Sequence, residues 1–576
     1  MAVSETVLAE GAVEPAVRPG GGVALRLEVL VWLGLMAAGA ALRLARLDAL
    51  PLTFEESGRA FDALRVSHNA VPDGWTGDLA AALTSYLFRV LDDSDLVARL
   101  VPAVAGSLMV GAAALCGRGL GRVGALTAGA LLAFSPLAIL LARSGTAFSL
   151  GGLLAVAMAG SLLSYIREPR AVTAFAFAAA FGLAPATDAV ATTAALACAG
   201  FLLLEPVVGA GDEVARAWGA FRRSPSHWLS VALVLAAALE LALTHFGTSL
   251  DKTGLPGLRQ WGDMFGLPRD GREPEYQVAL LLAYEWPVLL AGGLAAVFFV
   301  WRIARRGTGA LTPGQRLALV WTVLGAFAVA LATQREAGQL LMLVVPLAVL
   351  GGLLAEELAP SLDWAVLRRW WPAAAGALLL VAYAALITTD WSQRQTSTWD
   401  RLSLVLALGG AVLLLTACYS LIERRAAAIV LVVVGTLAFA FLAHTDLNLV
   451  RNDGGVEMAV DARTSQRIDQ FHEGVVRIAA DRAGPVFVDP ALREPLAWYL
   501  RDLPVAVGPV EADASLVVVA AGTKIEGFTA VGETWRLGGG WYPLRIRLLP
   551  LWRWLVYREP YGEPDGVDAQ ILVPEP

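Results

Sequence analysis

The sequence predicts an α-helical polytopic membrane protein, with about 13 transmembrane helices and a C-terminal extracytoplasmic α/β domain. Three observations carry this. The 576 residues are 57% hydrophobic and only 16% charged, against about 25% charged in ordinary soluble domains. Mean hydropathy is +0.61. Apolar runs near 20 residues recur along most of the chain, the length that crosses a hydrocarbon core.

The elements follow in order. Residues 1–22 are acidic, Gly-rich and Pro-containing, and end in Gly20-Gly21-Gly22. That composition predicts a disordered cytoplasmic tail. Residues 23–444 form the transmembrane domain. Its thirteen expected spans are 25–43, 99–117, 123–142, 147–166, 171–185, 189–206, 228–246, 280–301, 315–333, 338–355, 371–389, 402–421 and 426–443. The first reads as a signal anchor, since no small-residue cleavage site follows it. The fifth and sixth are short and are parted only by the Ala184–Asp188 break.

Arginines fix the expected orientation. Alternate loops carry Arg118 and Arg122; Arg167 and Arg170; Arg216, Arg222 and Arg223; Arg302, Arg305 and Arg306; Arg368 and Arg369; Arg424 and Arg425. The positive-inside rule makes this set cytoplasmic. The N-terminus is then inside, and residues 445–576 form an extracytoplasmic domain. The outer side also receives the loop 44–98. Within it, 55–67 and 78–92 read as amphipathic helices suited to the membrane interface.

The tail reads as a small α/β sheet. Thr464–Ala480 has helical apolar spacing through Ile468, Phe471, Val475 and Ile478. Val486–Val488 and Leu516–Ala520 read as buried strands with a helix, Pro490–Leu500, between them. The Trp- and Arg-rich stretches at 541–544 and 551–558 suit either an interface anchor or a packed element.

Several chemistries are excluded. Cys116, Cys198 and Cys418 all lie in apolar runs, which argues for packing rather than a disulfide framework or thiolate metal site. No basic patch with interleaved aromatics suggests nucleic acid. The five histidines lack metal-ligand spacing. Gly117-Arg118-Gly119-Leu120-Gly121 follows a membrane helix, not a strand, and so fails the nucleotide-binding context.

Charges beside a bilayer are costly unless they face water or work. Glu55 and Glu56 follow the first span. Glycosyl transfer needs a carboxylate to take a proton from an acceptor or to orient it. The plain alternative is a helix start, with Thr53 as cap and acids in the first turn. Asp188 sits at a break on the same outer side, with capping again the alternative. Glu285, a few residues into the eighth span, and Glu336 are further acidic candidates. Arg143, Arg272 and Arg335 are outer-side cations suited to a lipid phosphate; snorkelling to lipid headgroups is their plain alternative.

These residues resemble the GT-C superfamily of polyprenyl-phosphate-sugar-dependent glycosyltransferases, which includes the protein mannosyltransferases, the lipid A aminoarabinose transferases and the oligosaccharyltransferases. Arg43-Leu44 and Glu55-Glu56 resemble its opening; Arg99-Leu100, Ser135-Pro136 and Ala142-Arg143 resemble the stretch that follows. A closer similarity is to the archaeal and bacterial subgroup called flippase activity-associated. Trp261 through Trp286-Pro287, with Arg269, Pro274, Tyr276 and Tyr284-Glu285, is similar to its seventh outer loop and eighth helix. The Gly182–Asp188 break and Arg335-Glu336 with Pro346 also have counterparts there. The pattern departs from the family where an Asp-Glu pair is usual and Glu-Glu stands, and where a Lys-Glu is replaced by Thr187-Asp188. A His-Pro segment in the first outer loop is missing, with Gly77-Asp78 near its place.

The resemblance implies a cell-membrane enzyme that moves a sugar, with inversion, from a polyprenyl-phosphate donor to an extracytoplasmic protein, lipid or glycan acceptor. Glu55 inherits the catalytic carboxylate, assisted by Glu56 and Asp188. Arg143, Arg272, Arg335, Glu285 and Glu336 would bind substrate. This reading fixes no cofactor and leaves a divalent ion optional. Mg2+ or Mn2+ is the ion that Glu55 and Asp188 would take if one binds. The departures keep a second implication open: an inactive accessory of lipid-linked sugar translocation or envelope assembly.

Overall fold

The computed structural model describes residues 27–73, 75, 77–208, 212–248, 254–267, 275–362, 364–393, 398–422, 427–451, 457–460, 462–480, 482, 484–509, 514–541, 547–561 and 565–575. Among these, nine helices are long and apolar enough to cross a membrane: Leu27–Leu44, Asp95–Leu120, Phe148–Arg167, Pro225–Leu243, Trp286–Arg306, Pro313–Leu331, Ala337–Ser361, Arg368–Trp391 and Ala428–Arg451. The chain is a multi-pass membrane protein.

The expected count of thirteen is not reached. Arg122–Ala133 and Pro136–Ala142 make one further span only as a pair bent by 59°. The bend has a local cause. Pro136 cannot donate a backbone hydrogen bond, and Ser135 starts a new helix by accepting from the Ala138 amide at 3.1 Å. The other three expected spans fall on the helices Ala171–Leu183, Ala189–Val208 and Thr398–Ile422, whose apolar stretches among the described residues are Ala171–Ala186, Ala189–Glu205 and Arg401–Leu414.

The spans form a centre and a perimeter. The apolar stretch of Ala337–Ser361 is 89% buried and that of Phe148–Arg167 is 83% buried. Leu27–Leu44 and Pro225–Leu243 are 11% buried, and Arg368–Trp391 is 17% buried. Lipid tails are as apolar as leucine, so outer helices need no protein cover. Glycines bring neighbours close to the central helix. A Cβ at Gly325 would stand 2.2 Å from the Met342 carbonyl oxygen, and one at Gly352 would stand 2.3 Å from that of Gly124.

The C-terminal part holds a six-stranded sheet. Its strands are β1 (Arg463–Thr464), β2 (Val486–Val488), β3 (Val505–Val507), β4 (Leu516–Ala520), β5 (Phe528–Gly539) and β6 (Val567–Pro574), in spatial order β1-β5-β6-β4-β2-β3. β2 runs parallel to β3 and β4, while the β1/β5, β5/β6 and β4/β6 pairs are antiparallel. The helix Ile468–Ala480 buries Ile468, Phe471 and Val475, as its spacing predicts. The Trp-rich end is a packed element. In the helix Leu548–Tyr557, Trp554 is fully buried with its ring 5.6 Å from both Tyr284 and Trp541.

The sheet domain is fastened to the segment 44–98 that follows the first span. The helices Phe54–Ser67 and Leu79–Val90 form where the two amphipathic stretches predict them. Leu52, Ala63, Val66, Trp75 and Phe88 cluster with the sheet domain's Trp498. The Trp498 indole and the Tyr499 hydroxyl donate to the two oxygens of Asp95, at 2.8 and 2.9 Å. Arg501 meets Asp93 at 3.0 Å and Arg493 meets Asp62 at 2.7 Å. Backbone joins as well: the Phe54 amide donates to Ala462, and the Thr464 hydroxyl donates to the Leu52 carbonyl.

Candidate active site

A cavity of about 850 Å³ opens where ends of the spans, the start of the Phe54–Ser67 helix and the sheet domain meet. That is the size range of small-molecule sites. Six arginines line it (46, 99, 143, 463, 467 and 536) against four glutamates (55, 56, 336 and 494). The surplus of guanidinium groups suits an anionic ligand such as a phosphate.

Glu55 and Glu56 sit side by side and differ in every physical respect. Thr53 caps the helix, accepting from the Glu56 amide, while Glu56 Oε2 accepts from the Thr53 amide at 2.8 Å. This capping box aims Glu56 inward. Its carboxylate is buried and also accepts from the Gly145 amide at 2.8 Å and from Arg99 Nη2 at 2.6 Å. Burial alone would raise its pKa. The Arg99 charge and these hydrogen bonds outweigh burial and hold it below the usual carboxylate range. Arg99 donates further to the carbonyls of Leu47, Leu50 and Pro51. The pair therefore pins the loop that leads into the helix of Glu55.

Glu55 points the other way. Its side chain is half exposed at the cavity wall and meets Arg59, one turn along the helix, at 3.0 Å. Arg59 lies 3.8 Å from Asp78 and feels the charge of Glu336, another lining residue.

Arg143 lines the cavity beside the first span. Its Nη1 donates to the carbonyls of Leu42, Arg43 and Ala45, and its Nη2 to that of Arg46. These are the orphan acceptors at a helix C-terminus. Burial first, then the charges of Arg99 and Arg46, pull its pKa down to about 10, so it remains a cation at neutral pH.

The remaining sequence candidates are placed elsewhere. Asp188 is buried, and one oxygen accepts from the Ala191 amide at 2.8 Å, as a helix cap. It is not among the cavity's walls. Glu285 is buried at the Ser135-Pro136 bend, accepting from the Ser135 hydroxyl at 2.5 Å and the Leu137 amide at 2.9 Å. Glu336 lines the cavity, while its neighbour Arg335 does not. Arg272 lies outside the described residues. The expected metal pair of Glu55 and Asp188 does not converge at the cavity, and no group of three or more His, Cys, Asp or Glu suited to a metal occurs among the described residues. The residues described do not fit an Mg2+ or Mn2+ centre.

Sequence reasoning missed the sheet domain's share of the site: Arg463, Arg467, Glu494 and Arg536. Nothing local marks them. Glu494 follows Glu55 by more than four hundred residues, and only the tertiary fastening brings them to one cavity.

No family model matches this chain, and no curated protein matches it either. Solved structures do. ArnT from Cupriavidus metallidurans, bound to undecaprenyl phosphate, is similar with a TM-score of 0.52 and 17% identity, over 84% of this chain and 86% of that one. The same protein in its apo state gives a TM-score of 0.50 with the same identity and coverage. The oligosaccharyltransferase of Archaeoglobus fulgidus, at 10% identity over 86% of this chain and 70% of that one, gives a TM-score of 0.49. The chain shares the fold of these ArnT structures.

Proposed function

We propose that this chain is a membrane glycosyltransferase. On this reading it takes a sugar from a polyprenyl-phosphate donor and passes it, with inversion, to an acceptor on the outer face of the cytoplasmic membrane. The observation that carries the reading is the cavity: a half-exposed carboxylate, Glu55, faces a wall rich in arginine at ends of the spans. The likeness of fold to a protein that binds undecaprenyl phosphate supports it.

The steps follow from the residues. The lipid phosphate lies against the cations, among them Arg143, which is bonded to the end of the first span. An acceptor hydroxyl or amide beside Glu55 attacks the anomeric carbon. The bond from that carbon to the phosphate oxygen breaks, and its electron pair leaves with the phosphate. The arginines stabilise that departing charge. A carboxylate in the cavity takes the proton, with Glu55 as base or acceptor-orienting group. One displacement inverts the anomeric centre. Glu56 and Asp188 act on this reading by position: the first through Arg99, the second by capping the helix that starts at Ala189. The orientation expected from the arginine loops puts the cavity and the sheet domain outside, where the domain helps select the acceptor.

One observation favours the accessory reading: Glu55 is already ion-paired with Arg59. Transfer of labelled sugar from polyprenyl-phosphate donors in membranes, for the unaltered chain and for Glu55→Gln, separates the two. Activity that the mutant lacks supports the enzyme. Donor binding without turnover in both would make the accessory the better account.

A further inference from the structure

The sheet domain sends one carboxylate into the cavity among the described residues, Glu494. It reaches the Phe54–Ser67 helix at Gly58, and the fit depends on the missing side chain there. A Cβ at Gly58 would stand 2.2 Å from Glu494 Oε1 and 2.6 Å from its carboxyl carbon. Gly58 follows Glu55 by three residues on the same helix face, where neighbouring Cβ positions are about 5–6 Å apart. The carboxylate of Glu494 therefore stands beside the base of the Glu55 side chain, in the same cavity.

The two carboxylates have different partners. Glu55 is held by Arg59 at 3.0 Å. Among the described residues Glu494 forms an ion pair with Arg493 alone, at 3.9 Å, and Arg493 is drawn to Asp62 at 2.7 Å. The charged groups facing Glu494 are Arg493 on its own element and Glu55, Arg59 and Asp62 on the helix it packs against. Burial, and then Glu55 and Asp62, raise its pKa; Arg493 and Arg59 oppose that and do not cancel it. A base works best when its proton affinity approaches the working pH.

We propose that Glu494 is the general base of the transfer and that Glu55 orients the acceptor hydroxyl, an assignment that rests on the transfer reading above. The acceptor oxygen uses its electron pair to bond the anomeric carbon. Its proton passes to a Glu494 oxygen as the bond to the phosphate breaks, and the phosphate leaves with the pair. The protonated Glu494 then returns its proton to water through the open cavity. The sheet domain is on this account part of the reacting site.

The test uses the full chain in membranes and the pH dependence of kcat with a polyprenyl-phosphate sugar donor. The unaltered chain should show an acidic limb above the usual glutamate value of about 4.3. Glu494→Gln should lower kcat about a hundredfold, leave the donor KM within about twofold, and abolish that limb. Gly58→Ala adds a methyl group that pushes the carboxylate aside while removing no titratable group. Ala also favours a helix over Gly by about 1 kcal/mol, so loss of folding is not the expected failure. It should lower kcat and move the limb, and it serves as the readout if Glu494→Gln does not accumulate. Unchanged kcat and limb in both variants, or a limb that vanishes in Glu55→Gln and survives in Glu494→Gln, overturns the assignment and leaves the transfer reading standing. No turnover by the unaltered chain sinks both.

Discussion

The cavity wall around Glu55 and the buried anchor around Glu56 begin at adjacent residues and obey opposite rules. On the wall, a carboxylate is half exposed, paired with one arginine of its own helix and open to a ligand. In the anchor, a carboxylate is buried and accepts from Thr53, Gly145 and Arg99, which join the loop, two helices and a turn. The helix makes the difference. Side chains at successive positions point about 100° apart, so a cap that turns Glu56 inward turns Glu55 outward. An acidic pair beside a membrane is then one group open to the cavity and one support.

The largest test of this contrast is Glu56→Gln. Removing one partner of a buried ion pair costs about 3–5 kcal/mol, so the solubilised protein should melt at a clearly lower temperature. The pH dependence has a definite sign. Glu56 has a depressed pKa in the folded state. Its contribution is full above about pH 4.3, the ordinary glutamate value, and is lost as pH falls through the lower folded value. A melting curve unchanged from the native one would erase the contrast.

Glu55→Gln comes next, with a transfer rate lower by about a hundredfold, or about 2.8 kcal/mol, and a melting temperature close to native. A mutant that melts early at full rate would make Glu55 the support instead. Arg143→Lys keeps a charge and loses the planar fork. Donor KM should rise about tenfold, near 1.4 kcal/mol, with the shift read by initial rates across donor concentration. Smallest is Asp188. Loss of a helix cap costs about 1 kcal/mol in Asp188→Ala and much less in Asp188→Asn, since asparagine caps equally well. Thermal unfolding of the two variants side by side would show it, and equal losses would mean the carboxylate does more than cap.

The sequence made the membrane domain legible because apolar length is a local property. Each expected span falls on a helix; nine are long and apolar among the described residues, one is bent at Pro136, and three have shorter described apolar stretches. The outer helices and the strands β2 and β4 were equally local and were found where expected. The acidic pair was found too, but spacing alone left Glu55 and Glu56 equivalent. The Thr53 cap was visible, and its consequence for Glu56 needed the position of Arg99 and Gly145. Glu494, Arg463, Arg467 and Arg536 carry no local mark at all. Their place follows from contacts such as Arg501 with Asp93 and Tyr499 with Asp95, which join distant parts of the chain. Asp188 and Glu285 stood out as acids in apolar surroundings, and each turned out to accept from a backbone amide at the start of a helix.

The order of strands in the sheet bears on how the protein is made. β6, late in the chain, lies inside the sheet with β5 on one side and β4 on the other. A ribosome must therefore deliver residues 567–574 before β4 and β5 can be joined. Until then β1, which lies at the cavity and pairs in the sheet with β5, has no complete sheet behind it. The arginine-rich wall would thus take shape only after the spans had been threaded into the bilayer. A nascent chain would hold its acidic helix in place well before it could grip a lipid phosphate.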